Sequence, residues 1–70
     1  MTQQEKIALI EEALRLAPNS LTPDTELSTL RAWDSLNILN LQVRLSAINA
    51  DLQFSDLFDC ETVEEVCDII

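Results

Sequence analysis

The chain has 70 residues, enough for one domain and too few for a deep catalytic cleft of its own. Thirteen acidic residues stand against Lys6, Arg15, Arg31 and Arg44, for a formal charge of −9, so phosphate backbones and anionic membranes would repel it. Basic protein surfaces would attract it instead.

Hydrophobic residues make up 47% of the chain, mostly Leu, Ile and Val, with Trp33, Phe54 and Phe58 the aromatic residues. That bias predicts helices rather than strands. Thr2 and Glu5 have capping-box spacing and open the first predicted helix. Ile7, Ile10, Leu14 and Ala17 then recur at helical steps, with Leu9 and Leu16 widening the stripe. Pro18 is expected to end this helix, since the residue before a proline is pushed out of the helical region. Residues 18 to 34 read as a long loop, a kind of segment that in a small domain is often functional. Leu21, Leu27 and Leu30 are expected to pin it to the core.

The second helix is predicted from Ser35 to Asn49, with Asp34 as its N-cap. Leu36, Leu39, Val43 and Ala47 keep the helical period, and Leu41, Leu45 and Ile48 form an adjoining line. Together they predict a broad apolar face for a central helix. "FSDLF", 54 to 58, reads as a short helical segment. Thr62 and Glu65 repeat the capping-box spacing and open a last helix. Val63, Val66, Ile69 and Ile70 point inward there, and the final turn is where fraying is expected. The chain has no glycine. It therefore has no Gly-rich phosphate loop, and Asn19 and Asn49 are the candidates for left-handed backbone.

Cys60 and Cys67 are seven residues apart, roughly 10 Å along one helix, too far for a disulfide. With no histidine they offer no metal-site pattern, so no metal is expected. The start of the chain carries acids within its apolar run, unlike a signal peptide. No stretch is long and apolar enough for stable membrane insertion. A cytoplasmic location is expected.

Ser35 stands where the loop gives way to the second helix. A serine nucleophile needs a base to take its proton, and this chain has no histidine and no lysine nearby in sequence. A serine hydrolase is excluded on that ground, and no catalytic residue is assigned. Two readings stay open: a helix-capping residue beside Asp34, or a hydroxyl modified by another enzyme. A helix N-terminus favours an attached phosphate.

The segment "TELSTLRAWDSLNILNL" resembles the attachment region of acyl carrier proteins and related peptidyl carrier domains. A leucine-punctuated loop, Asp-Ser-Leu at a helix start and an apolar helix after it carry the likeness, which extends over nearly the whole chain. The resemblance implies an all-α, four-helix bundle of acyl-carrier type, with a long first loop and a short third helix. It implies a single carrier domain over residues 1–70, free-standing and monomeric, that is not itself an enzyme. It implies that Ser35 receives a 4'-phosphopantetheine arm from coenzyme A through a separate magnesium-dependent phosphopantetheinyl transferase. The arm's thiol then holds an acyl or aminoacyl group as a thioester for acyl-loading and acyl-transferring enzymes. Fatty acid, polyketide and other specialised pathways all use such carriers. Asp34 matches the preceding acid, expected to cap the helix and aid transferase recognition. Leu36 matches a residue that contacts partners.

The chain departs from the common pattern in two places. No acid lies between Ser35 and Ala50, and Asn40 stands where a glutamate is usual; the acids gather in the last 20 residues. Docking is therefore expected to use apolar contact and hydrogen bonds around Leu36, Leu39 and Asn40, with Arg44 meeting a partner acid. The glycine common before the serine is replaced by "RAW". Trp33 is expected either to cover the core edge or to touch a partner. The competing reading of the chain is a carrier-fold interaction domain that is never loaded. Sequestration of an acyl chain between the helices is not the expectation, because a small core is close-packed in any case.

Overall fold

Residues 2–70 are described by a computed structural model. Helix α1 spans Gln3–Ala13, α2 Ser35–Leu45, α3 Phe54–Phe58 and α4 Val63–Asp68, with a 3-10 turn at Leu27–Thr29. Among the described residues there is no strand, only an isolated antiparallel bridge between Glu26 and Thr62. α1 packs on α2 and α4, and α2 packs on α3. This is the four-helix bundle expected, with the long first loop and the short third helix.

α1 opens as its sequence predicts. The Glu5 N–H donates to Thr2 Oγ1 at 3.2 Å, and Glu5 Oε1 accepts from the Thr2 N–H at 3.3 Å. Its end differs. The helix stops at Ala13, and Arg15 takes φ 60°. The Leu16 N–H then donates to the Glu11 carbonyl at 2.8 Å and the Arg15 N–H to Glu12 at 3.1 Å. These two bonds are a Schellman cap, which normally takes glycine at the left-handed position. Leu16 packs against the core and supplies the apolar contact of that motif. Ala17 is exposed rather than part of the buried stripe. Asn19 is left-handed, at φ 64°, after Pro18 in a turn closed by Ser20 N–H to the Ala17 carbonyl. Asn49 is not left-handed: its side chain donates to the Ile69 carbonyl at 2.8 Å and accepts from the Asp51 N–H at 3.1 Å.

The long loop is held from both sides. Leu21 and Leu27 are buried and Leu30 packs beside them. The buried carboxylate of Glu11 accepts from the Leu21 N–H at 3.0 Å. Loop carbonyls also cap α4, whose first N–H groups have no partner within the helix. Val63 N–H donates to Thr25 at 3.1 Å and Glu64 N–H to Pro23 at 3.0 Å. The Glu65 N–H goes to Thr62 Oγ1 at 3.4 Å, but the Glu65 carboxylate accepts from Glu61 N–H at 2.8 Å rather than from Thr62. The capping box expected there is thus half formed.

Ile10, Leu27, Ile38, Leu41, Leu45, Leu57, Val63 and Val66 form the center of the core. On α2 the inward line is Ile38, Leu41 and Leu45. The broad inward face expected for this helix is therefore corrected: Leu36, Leu39, Val43 and Ala47 face solvent, as does Ile48 beyond the helix end. α2 also ends four residues early, at Leu45, where Ser46 Oγ donates to the Val43 carbonyl at 2.6 Å. Lys6 Nζ donates to the Ile70 carbonyl at 2.8 Å and to Cys67 at 3.1 Å, and Ile69 and Ile70 are half-buried.

Candidate functional site: the start of helix α2

Asp34 has extended backbone, and its Oδ1 accepts from the Asn37 N–H at 2.9 Å. The first intrahelical bond runs from Ile38 N–H to the Asp34 carbonyl, 2.9 Å. Asn37 Nδ2 reaches back to the Ala32 carbonyl at 2.9 Å and ties the first turn of α2 to the loop before it. The incoming backbone is itself folded tightly, with Trp33 N–H on the Leu30 carbonyl at 3.1 Å and Asp34 N–H on Ala32 at 3.0 Å. Ser35 is thus the first helical residue, in a turn held by hydrogen bonds on both sides of it.

The Ser35 side chain is exposed and its hydroxyl bonds to no described residue. Asp34, not Ser35, does the capping. The N–H groups of Ser35 and Leu36 point out of the helix start without a partner among the described residues. An exposed hydroxyl beside two free N–H groups at a positive dipole end suits a phosphodiester, which brings negative charge and acceptor oxygens. A phosphopantetheine group joined through its phosphate fits the residues present there. No His, Cys, Asp and Glu cluster among the described residues could hold a metal ion.

The expected partner residues divide between two surfaces. Leu36 is 68% exposed, Leu39 48% and Val43 66%, in one stripe running down α2 from the serine. Asn40 and Arg44 are exposed beside it. Arg44 makes a 3.5 Å ion pair with Glu12 of α1, both side chains largely in solvent, an arrangement of small energetic value. Trp33 precedes the helix by two residues. It is half-buried, packs on the core and lines a surface groove with Phe58 and Cys60. Nothing in the sequence marks Val43 and Phe58 as surface residues. Val43 has the periodicity of a core residue. Phe58 sits four residues after Phe54, and that spacing signals their ring stacking at 5.8 Å, but not that Phe58 stays 59% exposed.

Both thiols are held in the protonated form. Burial and then the carboxylates of Glu65, Asp56 and Asp59 push Cys60 up to about 11. Burial raises Cys67, with Lys6 partly opposing. Neither is a ready nucleophile at neutral pH, and neither is in a disulfide.

The fold and this site define a small helical bundle presenting one serine hydroxyl at a helix start. The family model for the phosphopantetheine attachment site matches residues 7–70, and the chain belongs to that family. It is a phosphopantetheine-carrying carrier protein, with 4'-phosphopantetheine as its covalent cofactor. No curated protein and no solved structure matches the chain. No helix among the described residues is long and apolar enough to cross a membrane.

Proposed function

We propose that Ser35 is the attachment point of the arm, and that the chain carries an acyl or aminoacyl group as a thioester between enzymes. The observation that carries this reading is the Ser35 hydroxyl, exposed and unbonded beside two free backbone N–H groups. Its Oγ forms the phosphodiester, and a base on the transferase takes the proton, because no histidine exists here. Asp34 holds the helix start in place and presents it to the transferase. The bound arm supplies a thiol that keeps the acyl carbon activated. Tethering raises the effective concentration of cargo at each successive enzyme. The chain itself performs no chemistry on the cargo.

The exposed stripe of Leu36, Leu39 and Val43, with Asn40 and Arg44, supports docking by apolar contact and hydrogen bonds. The stripe starts at the serine and α2 carries no acid. Phosphopantetheinyl transferase and the acyl-loading and acyl-transferring enzymes are the partners, and the carrier works as a monomer. Two free thiols suit a reducing compartment, the cytoplasm. Incubation with coenzyme A, magnesium and a transferase, followed by digestion and fragment mass spectrometry, tests the site. The arm is expected on the peptide holding Ser35. An arm on Ser28, Ser46 or Ser55 instead would overturn the assignment, and a chain that takes no arm would favour the unloaded interaction domain.

A further inference from the structure

Among the described residues Glu11 is the one polar or charged residue that is buried, at 5% exposure. Its Oε2 accepts from the Leu21 N–H at 3.0 Å, and its Oε1 bonds to no described residue. Pinning the loop needs one acceptor and no charge, yet the residue is a carboxylate with acceptor capacity on both oxygens. A buried charge is costly unless it is paired. No described cation pairs with this one. The ion pair found joins Arg44 to the neighbouring Glu12, and Lys6 is turned to the carbonyls of Cys67 and Ile70. No side-chain oxygen of the unexposed residues is both enclosed and unpaired. Oε1 therefore keeps an opening to the outside.

Glu11 lines a cleft of ≈ 360 Å³ between α1 and the start of the long loop. Gln3, Gln4, Ile7, Ala8 and Glu11 form one strip of α1 at helical steps, about 12 Å from first to last. Pro18, Asn19 and Leu21 form the facing wall. Ala8, Glu11 and Pro18 also line an adjoining hollow of ≈ 310 Å³ with Glu12 and Leu16, and no Lys or Arg lines either space. The cleft is thus narrow, apolar along its walls, amide-bearing at its outer end and anionic at its buried end. We infer that it receives an arginine side chain of a partner protein, with the guanidinium on Glu11 Oε1, the stem against Ile7, Ala8 and Pro18, and the partner's peptide groups on Gln3 and Gln4. A guanidinium gives up its water more readily than an ammonium and can donate to Oε1 and to the Asn19 side-chain carbonyl at once. The charge of −9 draws a basic partner surface towards the chain. No residue of α2 lines the cleft, so this contact leaves the serine and the stripe below it free. It does not depend on whether Ser35 carries the arm.

The test titrates the full chain with N-acetyl-arginine methylamide and with its lysine and citrulline counterparts. The side-chain amide resonances of Gln3, Gln4 and Asn19 and the backbone amide of Leu21 are followed by NMR. The arginine compound is expected to shift them several-fold more than neutral citrulline, and more than lysine. Glu11→Gln keeps an oxygen for the Leu21 N–H and removes the charge; it is expected to lose the shifts. Ala8→Leu, at an exposed helical position, fills the cleft and leaves Glu11 in place, and is expected to lose them too. It decides the matter even if the Glu11 variant does not fold. Asp51→Asn, which removes an exposed charge elsewhere, and Ser35→Ala are expected to keep them. Free L-arginine, whose own carboxylate the acidic chain repels, is expected to bind more weakly than the blocked compound; tighter binding would replace the partner protein by a small metabolite and overturn the inference. So would equal shifts from arginine and citrulline, lysine shifts as large as those of arginine, or shifts that survive Ala8→Leu.

Discussion

Asp34 Oδ1 accepts the Asn37 backbone N–H at 2.9 Å, spanning the first turn of α2 and leaving the Ser35 hydroxyl between them unbonded. Capping thus falls to Asp34, and the neighbouring hydroxyl is left free for the proposed modification. Asp34→Ala is expected to cost about 1 kcal/mol of folding stability, as loss of an N-cap commonly does. Asp34→Asn keeps an oxygen acceptor and is expected to fold almost as well. If the carboxylate also serves the transferase, the Asn variant loads more slowly while melting at nearly the same temperature. Equal loading of the Asn variant and the parent chain would reduce Asp34 to a cap.

The outward and inward lines of α2 predict opposite responses to substitution. Ile38→Ala removes a fully buried side chain and is expected to cost about 2–5 kcal/mol in urea unfolding. Val43→Asp alters a residue 66% exposed and is expected to stay within about 0.5 kcal/mol of the parent. The same Val43 variant is expected to weaken partner binding. Partner affinity of the parent chain is expected to depend only weakly on salt, because α2 offers apolar contacts rather than charge. A steep salt dependence would move the docking surface to the acidic α3–α4 side.

Lys6 closes the fold at its far end. Its ammonium bonds to the carbonyls of Ile70 and Cys67, 61 and more positions away in sequence. Lys6→Met keeps the aliphatic stem and removes both bonds. A loss of about 1 kcal/mol is expected in thermal or urea unfolding, with faster amide exchange in the last turn of α4. Unchanged exchange there would show that packing of Ile69 and Ile70 is sufficient alone.

Cys60 predicts a pH dependence. Its folded value, about 11, lies above the ordinary thiol value of 9.0 because burial and nearby acids disfavour the thiolate. Folding therefore favours the protonated thiol. This contribution to stability is fully present below pH 9 and is lost as pH rises from 9.0 towards about 11. Alkylation of native Cys60 by iodoacetamide, mapped by peptide mass spectrometry, should stay slow at pH 8 and keep rising beyond pH 10. A rate that levels off near pH 9 would contradict the burial and charge described.

What the sequence made legible were local devices. The Thr2–Glu5 box, the Asp34 cap and the placement of Ser35 depend on residues three apart, and spacing alone exposes them. The loop leucines were legible too, because isolated apolar residues in a polar loop have few alternatives to the core. The facing of α2 was not. Leu36, Leu39 and Val43 repeat with the same period as Ile38, Leu41 and Leu45, and period cannot tell which of two apolar lines meets the bundle. The end of α1 was hidden because a left-handed arginine leaves no compositional mark where glycine would. Contacts such as Thr25 and Pro23 capping α4, or Glu65 turning to Glu61, depend on chain crossings that only the assembled fold creates. The groove between Trp33 and Phe58 is of the same kind, built from two segments distant in sequence.

The central claim is that Ser35 carries the arm. The direct measurement is the intact mass of the chain after incubation with coenzyme A, magnesium and a broad-specificity phosphopantetheinyl transferase, with Ser35→Ala alongside. The account predicts the gain of one phosphopantetheine on the parent chain and none on the variant, with both folded by circular dichroism. The same gain on Ser35→Ala would contradict it, as would no gain on a folded, unmodified parent chain when a control carrier loads normally and the transferase of the source cell also fails.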